Sequence, residues 1–165
     1  RGILNALAIA DAPGMQGFVI GTNDLAKDLH LPDGTGRASM RPSMRMALQA
    51  CVLAARAPGI VCVDGVYNAF KDDAGLQAEC DDGRALGMDG KSLIHPAQLQ
   101  IANASFAPSE AEVTLARRQI DAYATAQAAG QGVAVLDGKI VENLHVATAR
   151  ATLAKAEAIA KAGLI

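Results

Sequence analysis

The chain has 165 residues, of which 51% are hydrophobic and 19% charged, with a formal net charge of −2. This length suits one sizeable domain, and the balance suits a buried core and argues against disorder. With three Phe, two Tyr and no Trp, neither base stacking nor charge attraction to nucleic acid is expected, and no apolar run is long enough for a helix to span a membrane.

In chain order, Ile3, Leu4, Leu7, Ala8 and Ala10 read as an amphipathic helix that is already under way at Arg1, with no signal peptide ahead of it. The expectation is a fragment whose missing residues hold part of a site. Three short apolar runs then share one pattern: Phe18-Val19-Ile20 ends in Gly21-Thr22-Asn23-Asp24, Ile60 to Val63 ends in Asp64-Gly65, and Ser92-Leu93-Ile94 ends in His95-Pro96. Short, partly β-branched and bounded by Gly or Pro, they predict neighbouring parallel strands at 18–21, 60–64 and 91–95. Between them, Met44, Leu48, Cys51 and Ala55 recur at helical spacing, with Pro42 near the first turn and Pro58-Gly59 as the stop. A second helix reads over 74–86, with Leu76, Cys80 and Arg84 on one face and Gly87 as its cap. This alternation implies an α/β protein with a parallel sheet covered on both faces. A closed (β/α)8 barrel needs roughly 250 residues, so these strands would be a later part of one.

After His95 the pattern changes. Ser109 and Glu112 form a capping box, and the helix they open carries Val113, Ala116, Ile120 and Tyr123 on one stripe. Val133 to Leu136, Asp137-Gly138 and Lys139 to Val141 read as a β-hairpin. A last helix from about Asn143 turns Val146, Ala149, Leu153 and Ala156 inward and ends at Gly163. The chain therefore divides into a partial barrel, 1–106, and a helix–hairpin–helix extension, 107–165. The stripes of that extension (Val113, Ile120, Val146, Leu153) ask for more burial than one hairpin supplies, which predicts a homo-oligomer.

Cys51, Cys62 and Cys80 form no CxxC pair and no zinc pattern; they read as small buried hydrophobes in a reducing cytoplasm. Asp24, Asp64 and His95 stand at the carboxyl ends of the strands, where α/β proteins build their sites. Asp24 suits either a helix cap or a Mg2+ ligand, with the backbone amides of Asn23 and Asp24 facing an anionic substrate. Asp64 suits either substrate contact or a structural carboxylate receiving amides of the Gly65 turn, and His95 reads as an orienting or structural group. His30, His145, Arg41, Arg45, Arg117 and Arg118 read as solvated. Gly34-Thr35-Gly36 fits neither the Walker nor the Rossmann spacing.

Gly21-Thr22-Asn23-Asp24-Leu25, Asp64-Gly65-Val66-Tyr67 and Asp72 to Gly75-Leu76 resemble the citrate lyase beta-subunit and malyl-coenzyme A lyase family. The most specific stretch runs from Gly87-Met88-Asp89-Gly90-Lys91 to Ile94-His95-Pro96-Ala97-Gln98, followed by Phe106-Ala107-Pro108-Ser109-Glu110 with Glu112. The resemblance implies a TIM barrel with a C-terminal extension, of which this chain would hold strands six to eight. It implies a Mg2+-dependent carbon–carbon lyase acting on a malyl-, citramalyl- or citryl-type coenzyme A thioester. Asp24 would be one metal carboxylate; the other, a Glu, and a substrate-binding Arg would precede Arg1. Where the family carries Gly-x-Met-Ile-Asp, this chain reads Gly138-Lys139-Ile140-Val141-Glu142. Glu142 would thus be the catalytic carboxylate, with Asp137 as fallback, delivered across a subunit interface in a homo-oligomer, commonly a trimer. Asn23, Asp24, Asp64 and His95 would meet the substrate. Two other readings stay open: a malyl-thioester hydrolase using the same site, and a non-catalytic assembly subunit of a lyase complex.

Overall fold

The computed structural model describes residues 1–32 and 37–163; Gly34-Thr35-Gly36 lies outside them. The chain is α/β and rich in helix, and it divides into two compact units, Arg1–Phe106 and Ala107–Ile165. Among the described residues, no helix is long and apolar enough to cross a membrane.

In the first unit, α1 (Ala6–Ala10), β1 (Gly17–Val19), α2 (Thr22–Asp28), α3 (Arg37–Arg56), β2 (Val61–Asp64), α4 (Asp73–Ala85), β3 (Gly90–Lys91) and α5 (Leu99–Phe106) follow in order. The three strands form one parallel sheet, ordered β1-β2-β3. The register pairs Phe18 with Cys62 and Asp64 with Lys91, so these four side chains share one face. Helices α3 and α4 pack on the sheet. Met44, Leu48, Cys51 and Ala55 of α3 are buried against Cys62 of β2 and against Leu76 and Cys80 of α4.

Several expectations shift. The first strand ends at Val19 rather than residue 21, and the third occupies Gly90–Lys91 rather than 91–95. One further ladder bond, from Ser92 N–H to the Asp64 carbonyl, precedes departure from the sheet. Pro42 lies inside α3, because the helix starts five residues earlier, at Arg37. Of the expected stripe, Ala10 is buried and Ile3 packs against the core, whereas Leu4 and Leu7 are exposed and Ala6 is buried instead. On α4 the inner face is Leu76, Glu79, Cys80 and Gly83, while Arg84 is half-buried. The sheet is covered on its α3–α4 face, whereas Val19 and Val61 on the other face are exposed.

The second unit holds α6 (Glu110–Ala128), the antiparallel pair β4 (Ala134–Leu136) and β5 (Lys139–Val141), and α7 (Asn143–Ala162). Its Ser109–Glu112 capping box is present, and Asp137 and Gly138 both take positive φ, 49° and 75°, in the tight turn. Ala126, Ala134, Val141 and Val146 form its small core, with Ile120 and Tyr123 packed against it. The outward faces of the hairpin and the start of α7 leave Val135, Ile140 and Leu144 exposed.

Candidate active site

The carboxyl ends of β1 and β2 are joined at close range. Ile20 N–H donates to the Val63 carbonyl at 3.0 Å, and Thr22, the first residue of α2, is buried. A Cβ on Gly65 would collide with Thr22 Oγ1 and would stand 2.6 Å from the Ile20 carbonyl oxygen, so only glycine lets the turn after β2 lie against the start of α2. The side-chain amides of Asn23 and Asn68 pair at 3.2 Å across the same junction. Gly21 occupies the cap position of α2, and Asp24 lies in its first turn. The cap reading of Asp24 therefore does not hold. Its carboxylate is exposed and, among the described residues, has no hydrogen-bond or ion-pair partner.

Asp64 has the opposite surroundings. It is 0% exposed. Its Oδ1 accepts from Gly65 N–H at 2.8 Å and from Arg41 Nη1 at 3.3 Å, and its Oδ2 accepts from Lys91 Nζ at 3.1 Å. Lys91, its side chain also fully buried, donates to Glu79 Oε1 at 2.6 Å and to the Gly65 carbonyl at 2.8 Å. Arg41 Nε reaches Asp82 at 2.6 Å, and Arg45 binds the other Asp82 oxygen at 2.9 Å. Three cations thus face three carboxylates under α3 and α4, and Gly83 makes room for them: a Cβ there would lie 3.1 Å from Asp64 Oδ2. Burial alone would raise the Asp82 carboxyl, but the hydrogen bonds and charges of Arg41 and Arg45 hold it below the usual carboxylate range. Two expectations are corrected here. Asp64 does not face substrate, because its oxygens are taken by the Gly65 turn, Arg41 and Lys91. Arg41 is not solvated, because it lies on the same stripe as Met44 and Leu48.

His95 is exposed and caps the short helical turn Pro96–Gln98: its Nδ1 accepts from Ala97 N–H at 3.1 Å, and its ring stacks on Phe70 at 4.6 Å between centroids. In the neutral ring that places the proton on Nε2. The buried Gln98 was not expected to matter. Its Oε1 accepts from the N–H groups of Ile94 and His95, and its Nε2 donates to the Tyr67 carbonyl at 2.9 Å. It thereby ties the segment after β3 to the loop after β2. Tyr67 in turn donates its hydroxyl to Asp72 at 2.6 Å, which, with Gly75 N–H, holds the Asp72 carboxyl below its ordinary value. The three cysteines are free and buried, and burial pushes the Cys62 thiol up to about 11.

In the second unit Glu142 is the N-cap of α7, exposed, its N–H donating to His145 Nδ1 at 3.1 Å. Asp137 is bound by Arg118 at 2.7 Å, and that hydrogen bond lowers its carboxyl pKa. A carboxylate held in its charged form by an arginine is a poorer proton acceptor than the same group without that partner.

Mg2+ needs one or two carboxylates, with substrate and water oxygens completing the shell. Asp24, exposed and without a partner among the described residues, leaves its oxygens open to such an ion; Asp64, with its oxygens taken, does not. Among the described residues, no three His, Cys, Asp or Glu side chains gather as a closed metal cage.

The model of the HpcH/HpaI aldolase/citrate lyase family matches residues 1–96. The chain belongs to that family. It is 62% identical over 160 residues to a (3S)-malyl-CoA thioesterase of Cereibacter sphaeroides, covering 97% of this chain and 55% of that protein. It is 35% identical to the citrate lyase subunit beta of Escherichia coli K12, over 94% of this chain and 51% of the relative. Among solved structures it is similar to the protein CitE of Mycobacterium tuberculosis in complex with magnesium, acetoacetate and coenzyme A, with a TM-score of 0.78 at 28% identity, covering 95% of this chain and 58% of that one. The chain spans about half the length of the curated relatives it matches. These relatives overturn the expected carbon–carbon lyase: the high identity is to a hydrolase, and the likeness to citrate lyase is far lower.

Proposed function

We propose that this family member acts as a thioesterase on a malyl-type coenzyme A thioester, releasing coenzyme A and the free hydroxy acid. The identity of 62% along nearly the whole chain to a (3S)-malyl-CoA thioesterase carries this reading. In it, β1, β2 and β3 are late strands, six to eight, of a (β/α)8 barrel, and the exposed Val19 and Val61 face its interior. Residues 107–165 serve as lid and oligomerisation extension, and the exposed Val135, Ile140 and Leu144 suit burial against a second copy, as in a trimer. Three free thiols suit a reducing compartment such as the cytoplasm.

Asp24 would hold Mg2+, with a second carboxylate from outside this sequence; such an ion would supply Lewis-acid stabilisation of the negative charge that develops in thioester cleavage. The backbone N–H groups of Asn23 and Asp24 donate to an anionic group of the substrate. His95, its Nδ1 occupied, offers Nε2–H as a donor to the same substrate. Glu142, from a neighbouring subunit, takes the proton from the attacking water, so that hydroxide adds to the thioester carbon and the carbon–sulfur bond breaks with the thiolate leaving. Asp64 contributes by fixing the turn after β2 and touches no substrate.

The test is a product assay. Supplied with (3S)-malyl-CoA and Mg2+, the native protein should yield free coenzyme A thiol and malate in equal amounts, with no glyoxylate. Glyoxylate and acetyl-CoA, or no turnover at all, would sink the thioesterase reading. Glu142 has its own check by subunit exchange. Inactive Asp24→Asn and Glu142→Gln proteins should regain part of the rate when mixed, and a mixture that stays inactive removes Glu142 from the neighbour's site.

A further inference from the structure

Lys91 belongs to the motif Gly87 to Gln98, yet nothing in the proposed reaction uses it. Its ammonium is fully buried, and its three donors go to Asp64 Oδ2 at 3.1 Å, the Gly65 carbonyl at 2.8 Å and Glu79 Oε1 at 2.6 Å. A buried ammonium is costly to desolvate, and an apolar residue of similar volume with neutral partners is often no less stable. Stability therefore does not account for the lysine.

The Gly65 carbonyl offers another reason. Gly65 is the residue whose Cα abuts Thr22 and the Ile20 carbonyl, and Thr22 and Asp24 share the first turn of α2. Lys91 holds the turn after β2 by its carbonyl. Asp64 holds the same turn by its amide, at 2.8 Å, and is itself held by Lys91 and Arg41. The turn in turn backs the segment that carries Asp24.

We propose that Lys91 is a positioning residue that, through Gly65 and Thr22, sets the place of the Asp24 carboxylate and so its affinity for a divalent cation. This rests on the reading of Asp24 as a metal ligand. Groups that hydrogen-bond a metal ligand directly typically change its affinity 10–100-fold; Lys91 acts through two intervening residues, so the effect expected is the lower end of that range, about tenfold.

Mn2+ takes the same oxygen ligands as Mg2+ and its free ion is directly countable by electron paramagnetic resonance, so Mn2+ binding to the native protein is the readout, with thermal unfolding beside it. Lys91→Met leaves the cluster one negative charge in excess and should lower both Mn2+ affinity, about tenfold, and thermal stability. Lys91→Met with Glu79→Gln restores the charge balance. It should recover most of the stability while affinity stays about tenfold weak, because the Gly65 carbonyl still lacks its donor. Gly65→Ala, which pushes the same turn off Thr22 with Lys91 intact, should weaken Mn2+ as well, and it keeps the test alive if neither Lys91 variant folds. Affinity that returns together with stability in the double variant, or a Gly65→Ala protein that binds Mn2+ as the native one does, overturns the proposal. Failure of the native protein to bind Mn2+, or undiminished binding by Asp24→Asn, overturns the reading of Asp24 and this inference with it. Native binding that is lost in Asp24→Asn and kept in Lys91→Met overturns this inference alone.

Discussion

The ends of β1 and β2 are neighbours in one sheet, and each has a carboxylate at or just beyond it, yet Asp24 and Asp64 are in opposite states. Asp64 is the last residue of its strand, points to the helix-covered face, and is saturated by Arg41, Lys91 and the Gly65 amide. Asp24 comes five residues after its strand has ended, on the first turn of a short helix, exposed and unpartnered among the described residues. The position of a carboxylate at a strand end does not by itself make it a ligand. What separates the two is whether its oxygens are already taken by the fold, which makes one a structural anchor and leaves the other available for chemistry.

The difference can be broken from the Asp64 side with the largest effect. Asp64→Asn keeps the shape and removes the charge, leaving Arg41 and Lys91 buried without their shared partner. Breaking a buried ion pair in this way costs about 3–5 kcal/mol. Urea unfolding should register a loss of that size, and a loss under about 1 kcal/mol would mean that water reaches the cluster and relieves it. The same substitution at Asp24 should do the reverse. Asp24→Asn should change stability by no more than about 0.5 kcal/mol, as an exposed site does, while Mg2+-dependent hydrolysis falls by about 100-fold. Activity near the native level with Mg2+ dependence intact would return Asp24 to the status of a surface residue.

Much of this contrast was legible in the sequence and part was not. The apolar runs ending in polar residues located the strands, because short buried strands have few alternatives once Gly and Pro bound them. The third was placed too late, since Leu93 and Ile94 drew the strand toward the apolar residues. The ladder there is set by the pairing of Asp64 with Lys91, and Ile94 ends half-exposed at 51%. The ion cluster was missed although a signal existed. Arg41 lies three residues before Met44, and Glu79 and Gly83 extend the stripe of Leu76 and Cys80. Helical periodicity therefore put Arg41, Glu79 and a glycine on buried faces. What it could not supply was their pairing, because the parallel register brings Lys91 beside Asp64 and the packing of α3 on the sheet brings Arg41 to the same carboxylate. Gln98 was hidden for the same reason: its partners at Ile94 and His95 are local, but Tyr67 is 31 residues away. Charge at a helix surface was taken as solvated by default, and that default fails where a glycine such as Gly83 opens space beneath it.

The smallest effect sharpens the comparison at the rim of the cluster, where Asp82 is neither saturated like Asp64 nor open like Asp24. Its side chain is 26% exposed and is held by Arg41 and Arg45. Burial works to raise its carboxyl pKa, the two arginines work harder to lower it, and the folded value ends below the ordinary one. A carboxyl lowered by folding favours the folded state when ionised, so its contribution is fully present above the ordinary carboxylate pKa, near about 4. It is lost as pH falls through the lowered folded value. Asp82→Asn should therefore lower stability at neutral pH by about 1 kcal/mol, the scale of one partly solvated charge-assisted bond. The native and Asp82→Asn curves of stability against pH should converge as the pH drops below about 4. Parallel curves down to the acid transition would mean that Asp82 carries no linked proton and that Arg41 is held by Asp64 and Glu79 alone.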